Sequence, residues 1–296
     1  MHNTWTMTKI RLRLAMRNKM FLFFSLIMPL GFLFFFVMMF GRNLGWTGYI
    51  LGAVLTMTVM GSFWGLSVQL VIFREQGILR RFRLAPLGAG PMLASSILAN
   101  YIMLIPTVAI ELIVCRLAFH LTDFGNLWEL FLLITFGSVA FSSLGLIVAS
   151  VTNTMQETQV INQLLWTGFL FLSGASVPLK FFPGWLQRCS LFIPATYLAT
   201  GLEFVASRQV TLAEIITDVV ALFIGFLVAF EVSRQTFRWE PEAKVPNRAK
   251  LWVLAALVPF LIFGAYENAY GDRLSRINQS FNFISSFSAS REPSRQ

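Results

Sequence analysis

The chain has 296 residues, of which 56% are hydrophobic and only 12% charged, and it contains 31 phenylalanines. A soluble domain usually runs near ~25% charged, so this composition excludes an ordinary soluble enzyme and marks an integral membrane protein. The net charge of +9 does not point to nucleic acid, because the basic residues gather at the ends of apolar segments, where they act as topology determinants.

In chain order, residues 1–19 form a basic lead-in. As a helix it sets Trp5, Leu12 and Met16 on one face and Arg13 and Arg17 on another, while Ile10 and Leu14 spoil the pattern. Such a segment suits the cytoplasmic membrane surface. The first charge-free stretch, Met20–Phe40, is long enough to cross and too long for a signal-peptide core, so it is expected to stay as an anchor. Spans are then expected at Tyr49–Ile72, Pro91–Leu117, Leu127–Ser150, Gln159–Val177 and Leu212–Ser233. Pro106 reads as a kink in the third.

Residues 73–90 join the second and third spans. Read as a helix from Gln76, they place Ile78, Phe82 and Ala85 in one stripe, with Arg80 and Arg83 away from it and Pro86 and Gly88 as the stop. Two uses fit: docking in a groove of another protein, or lying on the bilayer with the arginines on lipid phosphates.

Phe169–Leu202 is the most irregular part of the chain. An apolar segment breaks at Ser173-Gly174, and Pro178, Pro183 and Pro194 follow among aromatic residues. Broken backbone cannot face lipid, because its polar groups would go unpaired. A re-entrant structure packed on protein is expected over 178–202. Beyond the sixth span, residues 236–266 read as a linker plus a seventh apolar stretch, Leu251–Tyr266, which either spans or dips into the interface. Residues 267–296 are polar, Ser-rich and expected to be disordered.

Orientation follows from Lys and Arg in the short connections. Lys9, Arg11, Arg13, Arg17 and Lys19 precede the first span; Arg74, Arg80, Arg81 and Arg83 follow the second; Arg234 and Arg238 follow the sixth. These ends are expected in the cytoplasm and the Pro-rich break outside. Within the spans, Glu111 and Asp218 are pathway candidates by default. Glu111 can instead pair with Arg116, and Asp218 and Glu214 lie near an outer end where water reaches. Cys115 and Cys189 read as small hydrophobes rather than a disulfide, and His2 and His120 have no partners at ligand spacing, so no metal site is expected.

The chain has no G-x-x-x-x-G-K-[ST] phosphate loop, no H-E-x-x-H and no G-x-S-x-G, so it is expected not to be an enzyme by itself. A secondary transporter, or a non-transporting membrane assembly or sensory subunit, remains as an alternative.

Two stretches carry a family resemblance. One is Arg74-Glu75-x-Gly77 followed by Leu79, Arg81, Phe82 and Pro86-Leu87. The other is Leu172-Ser173-Gly174, Val177-Pro178, Phe182-Pro183-Gly184-Trp185-Leu186 and Pro194-Ala195-Thr196-Tyr197. Together they make residues 8–234 resemble the permeases of type-2 ABC exporters, the group that includes drug- and antibiotic-resistance permeases.

That resemblance implies an all-α, six-span transmembrane domain over 20–235, with an N-terminal interfacial helix and outer re-entrant helices. Glu75, Gly77, Leu79, Arg81, Phe82 and Pro86 would form a coupling loop against a separate ATPase subunit, which would bind the ATP and Mg. Ser173, Gly174, Pro178, Pro183, Trp185, Pro194 and Tyr197 would build an outer cap. The partners implied are that ATPase, a second permease copy or relative, and membrane lipid. The cargo would be amphipathic or lipid-like, exported across the cell membrane. The seventh segment and tail depart from the six-span pattern.

Overall fold

The computed structural model describes residues 2–17, 19–40, 46–79, 88–118, 124–207, 212–239 and 255–277. The described residues are helical with no strand, as the composition requires. Ten α-helices are numbered here: α1 (His2–Arg17), α2 (Lys19–Phe40), α3 (Thr47–Glu75), α4 (Ala89–Ala118), α5 (Leu127–Val151), α6 (Met155–Leu172), α7 (Gly184–Ser190), α8 (Pro194–Ala206), α9 (Leu212–Thr236) and α10 (Val258–Tyr270).

α3 is the axis of the bundle. It packs on α5 and α8 and also meets α2, α4 and α6. Small residues allow the close crossings, as expected where lipid removes the hydrophobic drive between helices. A Cβ on Gly145 would stand 2.3 Å from the Phe63 carbonyl oxygen, so α5 lies directly on the α3 backbone there. Gly48 and Gly52, one helical turn apart, give α8 the same approach, with Ser207 and the Glu203 backbone against them. Buried polar side chains add links. Asn162 and Ser67 bond between α6 and α3 (2.8 Å), and Asn100 donates to the Ser142 hydroxyl of α5 (3.0 Å) and the Ser62 carbonyl of α3 (3.2 Å).

The expected six spans are met in part. Among the described residues α3, α4, α5 and α9 are long and apolar enough to cross a membrane, and the bent pair α7–α8 would make a fifth. α2 is a 22-residue, mostly apolar helix, and its described apolar part runs over Ser25–Phe40. α6 begins at Met155 rather than Gln159 and ends at Leu172 rather than Val177. Its first turns carry Gln156, Glu157, Gln159, Asn162 and Gln163, which lower its apolarity. α4 continues through Pro106.

The N-terminal helix forms, but the side packed on α4 carries Met7, Thr8 and Arg11, with Trp5 and Met16 left exposed. Trp5 and Met16 therefore face away from the protein, as an interfacial helix needs, while Leu12 is half-buried. Arg11 lies over the Phe73 ring, 5.5 Å from its centroid, and burial pushes its pKa down to about 10. The seventh stretch becomes α10, whose Pro259 sits in the first turn, where a missing N–H costs nothing.

Candidate functional site

The Glu75 end is built from helix termini. α3 runs three residues past its expected end, so Glu75 is its last residue and not part of a loop. Gly77 turns the chain with φ of 69°, a conformation glycine adopts freely, and helix resumes at Ile78 rather than Gln76. Arg81, Phe82 and Pro86 lie outside the described residues, as do Arg80, Arg83 and Ala85 of the expected stripe. Leu79 is buried in an apolar cluster with Leu70, Met92 and Leu93.

Glu75 Oε1 accepts the backbone N–H of Met155, the first residue of α6, at 2.9 Å. The carboxylate thus caps a helix N-terminus, where a negative charge is favoured. The same terminus is capped locally: Thr154 Oγ1 accepts from the Glu157 N–H (3.2 Å), and Glu157 Oε2 accepts from the Asn153 N–H (2.8 Å). Next to it, Arg74 donates to the carbonyls of Ala149 (2.8 Å) and Thr152 (2.5 Å), and Arg238 donates to those of Ser150 (3.0 Å) and Thr152 (2.6 Å). Two guanidiniums therefore satisfy the open carbonyls at the C-terminus of α5. In the sequence both arginines look like topology charges, and nothing local marks their partners about 75 or more residues away.

At the opposite end the chain breaks at Ser173, as the sequence indicates. Gly174 has φ of 91°, and a Cβ there would meet the Leu179 side chain at 2.7 Å. The irregular backbone is satisfied by protein. The Ala175 carbonyl accepts from the Tyr49 hydroxyl (3.3 Å), and the Leu170 carbonyl from the Ser176 hydroxyl (2.9 Å). Pro178 precedes a 3-10 turn, Leu179–Phe181, Pro183 precedes α7, and Pro194 opens α8. α7 and α8 meet at 101°, forming a corner. Tyr197 is fully buried and donates to the Leu191 carbonyl (2.8 Å), and Thr196 donates to that of Ser190 (2.6 Å), both across the corner. Trp185 is exposed. Lys180 lies over the Trp46 and Phe181 rings; burial pulls its pKa down to about 8, against the opposing pull of Glu203.

The two pathway carboxylates are both enclosed. Glu111 does not pair with Arg116, which is exposed; its Oε1 accepts the Thr58 hydroxyl (2.7 Å), and its Oε2 has no hydrogen-bond partner. Asp218 is only 3% exposed and is bonded to the buried Arg273, so the expected access of water does not hold. The Glu214 side chain lies outside the described residues. Cys115 is buried and Cys189 exposed, and neither forms a disulfide.

The family model for the ABC-2 type transporter matches residues 2–206, which is more than two thirds of the chain. The chain belongs to the ABC-2 type transporter family. A relative in Bacillus subtilis (strain 168) bearing the name "Putative transport permease YvfS" is 23% identical over 236 residues, covering 77% of this chain and 94% of that protein. "Putative transport permease ycf38" of Cyanophora paradoxa is 27% identical over 158 residues, covering 53% of this chain and 54% of its own. The ABC-2 match takes in both the Glu75 terminus and the corner of α7 and α8, and stops before α9 and the C-terminal segment. Permeases of the ABC-2 type are normally the non-catalytic membrane component of a transporter.

Proposed function

We propose that the chain is the membrane permease subunit of an ATP-driven exporter, moving an amphipathic or lipid-like substrate outward with energy from a separate ATPase subunit that holds ATP and Mg. The observation that carries this reading is the single rod joining the two candidate sites. α6 takes Glu75 on its first N–H and runs directly into the break at Ser173. Its 18 residues span about 27 Å. A force on the 76–79 turn reaches α6 through Glu75 and α5 through Arg74, and α6 delivers it to the cap. Packed elements with two arrangements carry such a signal. Glu75, Gly77 and Leu79, with Arg81, Phe82 and Pro86, are the assigned coupling residues; Ser173, Gly174, Pro178, Pro183, Trp185, Pro194 and Tyr197 are the assigned cap. Glu111 and Asp218 are left as structural groups inside the bundle.

Charge supports a cytoplasmic Glu75 end, since exposed Lys9, Arg13, Arg17 and Lys19 lie there. Exposed Trp128, Trp185, Tyr266 and Tyr270 mark the far end as the other membrane interface. The permease acts as a pair. The outer face of α6 exposes Gln156, Gln159, Gln163 and Thr167 beside Val160 and Leu164. Amides on lipid are costly, so this face is suited to a second protomer and the passage between the two.

Two measurements test the reading. Co-purification with a P-loop ATPase should give ATP hydrolysis that drives cargo export from sealed vesicles; hydrolysis with no flux, or flux without ATP, contradicts it. Gln163→Cys, in a Cys189→Ser background, should cross-link two permease copies through a short bifunctional thiol reagent, whereas Trp128→Cys should not. Equal cross-linking from both positions contradicts the assigned face.

A further inference from the structure

The C-terminal segment 255–277 lies beyond both the family match and the six-span pattern, yet one side of it is seated in the protein through Ala256, Phe260, Gly264, Arg273 and Ile277. Its path is readable from what it touches. Ala256 packs with Ala229 and Val232 of α9 and Ile147 of α5, toward the Glu75 end. Phe260 sits over Gly225, where any Cβ would stand 2.3 Å from its ring. Gly264 passes the α7–α8 corner, where a Cβ would meet Phe192 at 2.5 Å and the Leu191 carbonyl at 2.9 Å. Arg273 reaches Thr200 of α8 and Asp218 near the start of α9. The segment therefore climbs antiparallel to α9, from the level of Val232 to that of Asp218. Those 14 positions correspond to about 21 Å of rise.

The seat is built for it. Two glycines, one on each side of the contact, admit Phe260 and Phe192. Arg273 is 2% exposed and donates to the Thr200 hydroxyl (2.6 Å) and to Asp218; its guanidinium lies 4.8 Å from the Tyr197 ring centroid and 3.7 Å from Glu267. Asn268 donates to the Arg188 carbonyl of α7 (3.3 Å), and Ile277 packs with Leu179 and Phe204. A buried guanidinium shared by three elements is costly to leave half-paired, so it fixes their relative placement.

We propose that residues 255–277 are a clasp: they cross back to the cap end and hold the α7–α8 corner onto α9, with Arg273 as the positioning residue. Ser275 then lies on the opposite membrane face from the Glu75 terminus. Opening of the cap requires Arg273 to release Asp218 or Thr200.

Both halves are testable by cysteine labelling in the full chain, starting from Cys189→Ser, since Cys115 is buried. In sealed vesicles an impermeant maleimide should label Ser275→Cys from the same side as Trp185→Cys and from the side opposite to Gln156→Cys. Labelling of Ser275→Cys together with Gln156→Cys overturns the crossing. For the clasp, Ala199→Cys, buried in α8, should label on the order of 100-fold faster when Arg273→Ala is added, and Arg273→Lys should recover part of the protection. Where Arg273→Ala does not accumulate, Arg273→Leu with Asp218→Leu and Glu267→Gln leaves no buried carboxylate without its guanidinium and should release the cap as well. An unchanged labelling rate in these folded variants overturns the clasp. Neither arm measures transport, so their failure is distinct from failure of the exporter reading.

Discussion

Replacing Glu75 by alanine should uncouple the transporter: ATP-driven export falls by about tenfold, the usual reach of a mutation within a coupling network, while the ATPase still binds and hydrolyses. The reason is the 2.9 Å bond from Met155 to Glu75 Oε1, which ties the end of α3 to the start of α6. Thr154 and Glu157 cap the same terminus independently, so α6 itself should persist. Loss of one cap costs about 1 kcal/mol, too little to unfold a bundle of this size. Glu75→Gln keeps an acceptor oxygen at the same reach and should retain most export. Side-by-side assays of ATP hydrolysis and vesicle transport check this. Equal loss in both variants would show that the negative charge, not the cap, is what the site uses. Undiminished export in Glu75→Ala would remove Glu75 from the coupling path.

The largest effect on assembly is expected at the α3 crossings. Gly145→Leu places its Cβ against the Phe63 backbone at 2.3 Å, and Gly52→Leu places one 2.7 Å from the Glu203 backbone nitrogen. Backbone cannot rotate aside as a side chain can, so the helices must separate and lose the packing on both sides. Overpacking of this kind costs about 3 kcal/mol or more. Gly61 lies in α3 with nothing within 4 Å of its Cβ position, so Gly61→Ala serves as the control. Gel filtration in detergent should give little monodisperse Gly145→Leu or Gly52→Leu and near-parental Gly61→Ala. Normal recovery of either leucine variant would contradict the placement of α3 at the centre.

Features with a local cause were legible in the sequence. The break at Ser173-Gly174 was readable because glycine and proline act on their own backbone, whereas the burial of Tyr197 and its bond to the Leu191 carbonyl were not. Boundaries set by hydropathy fared less well. α6 starts earlier than expected because Gln156 and Glu157, polar by composition, are held in its first turn by Thr154 and by Glu75. Partnerships across the chain left no local trace. Arg74 and Arg238 counted as membrane-flanking charges until their shared acceptor, the Thr152 carbonyl, placed them at one helix end. Asp218 read as a wet carboxylate near a helix end because its partner, Arg273, lies in a stretch whose polarity suggested disorder. Glu111 with Thr58 is the same case: the neighbour that settles its surroundings comes from another helix.

On the proposed reading, a separate ATPase drives this permease at the turn after Glu75. Gln76 is exposed at that turn and Trp185 is exposed at the far end. A photo-crosslinking residue placed at Gln76 in the purified, ATP-hydrolysing complex should attach the permease to the ATPase subunit, and the same residue at Trp185 should not. Attachment from Trp185, or none from Gln76 in a complex that still hydrolyses ATP, would contradict the account.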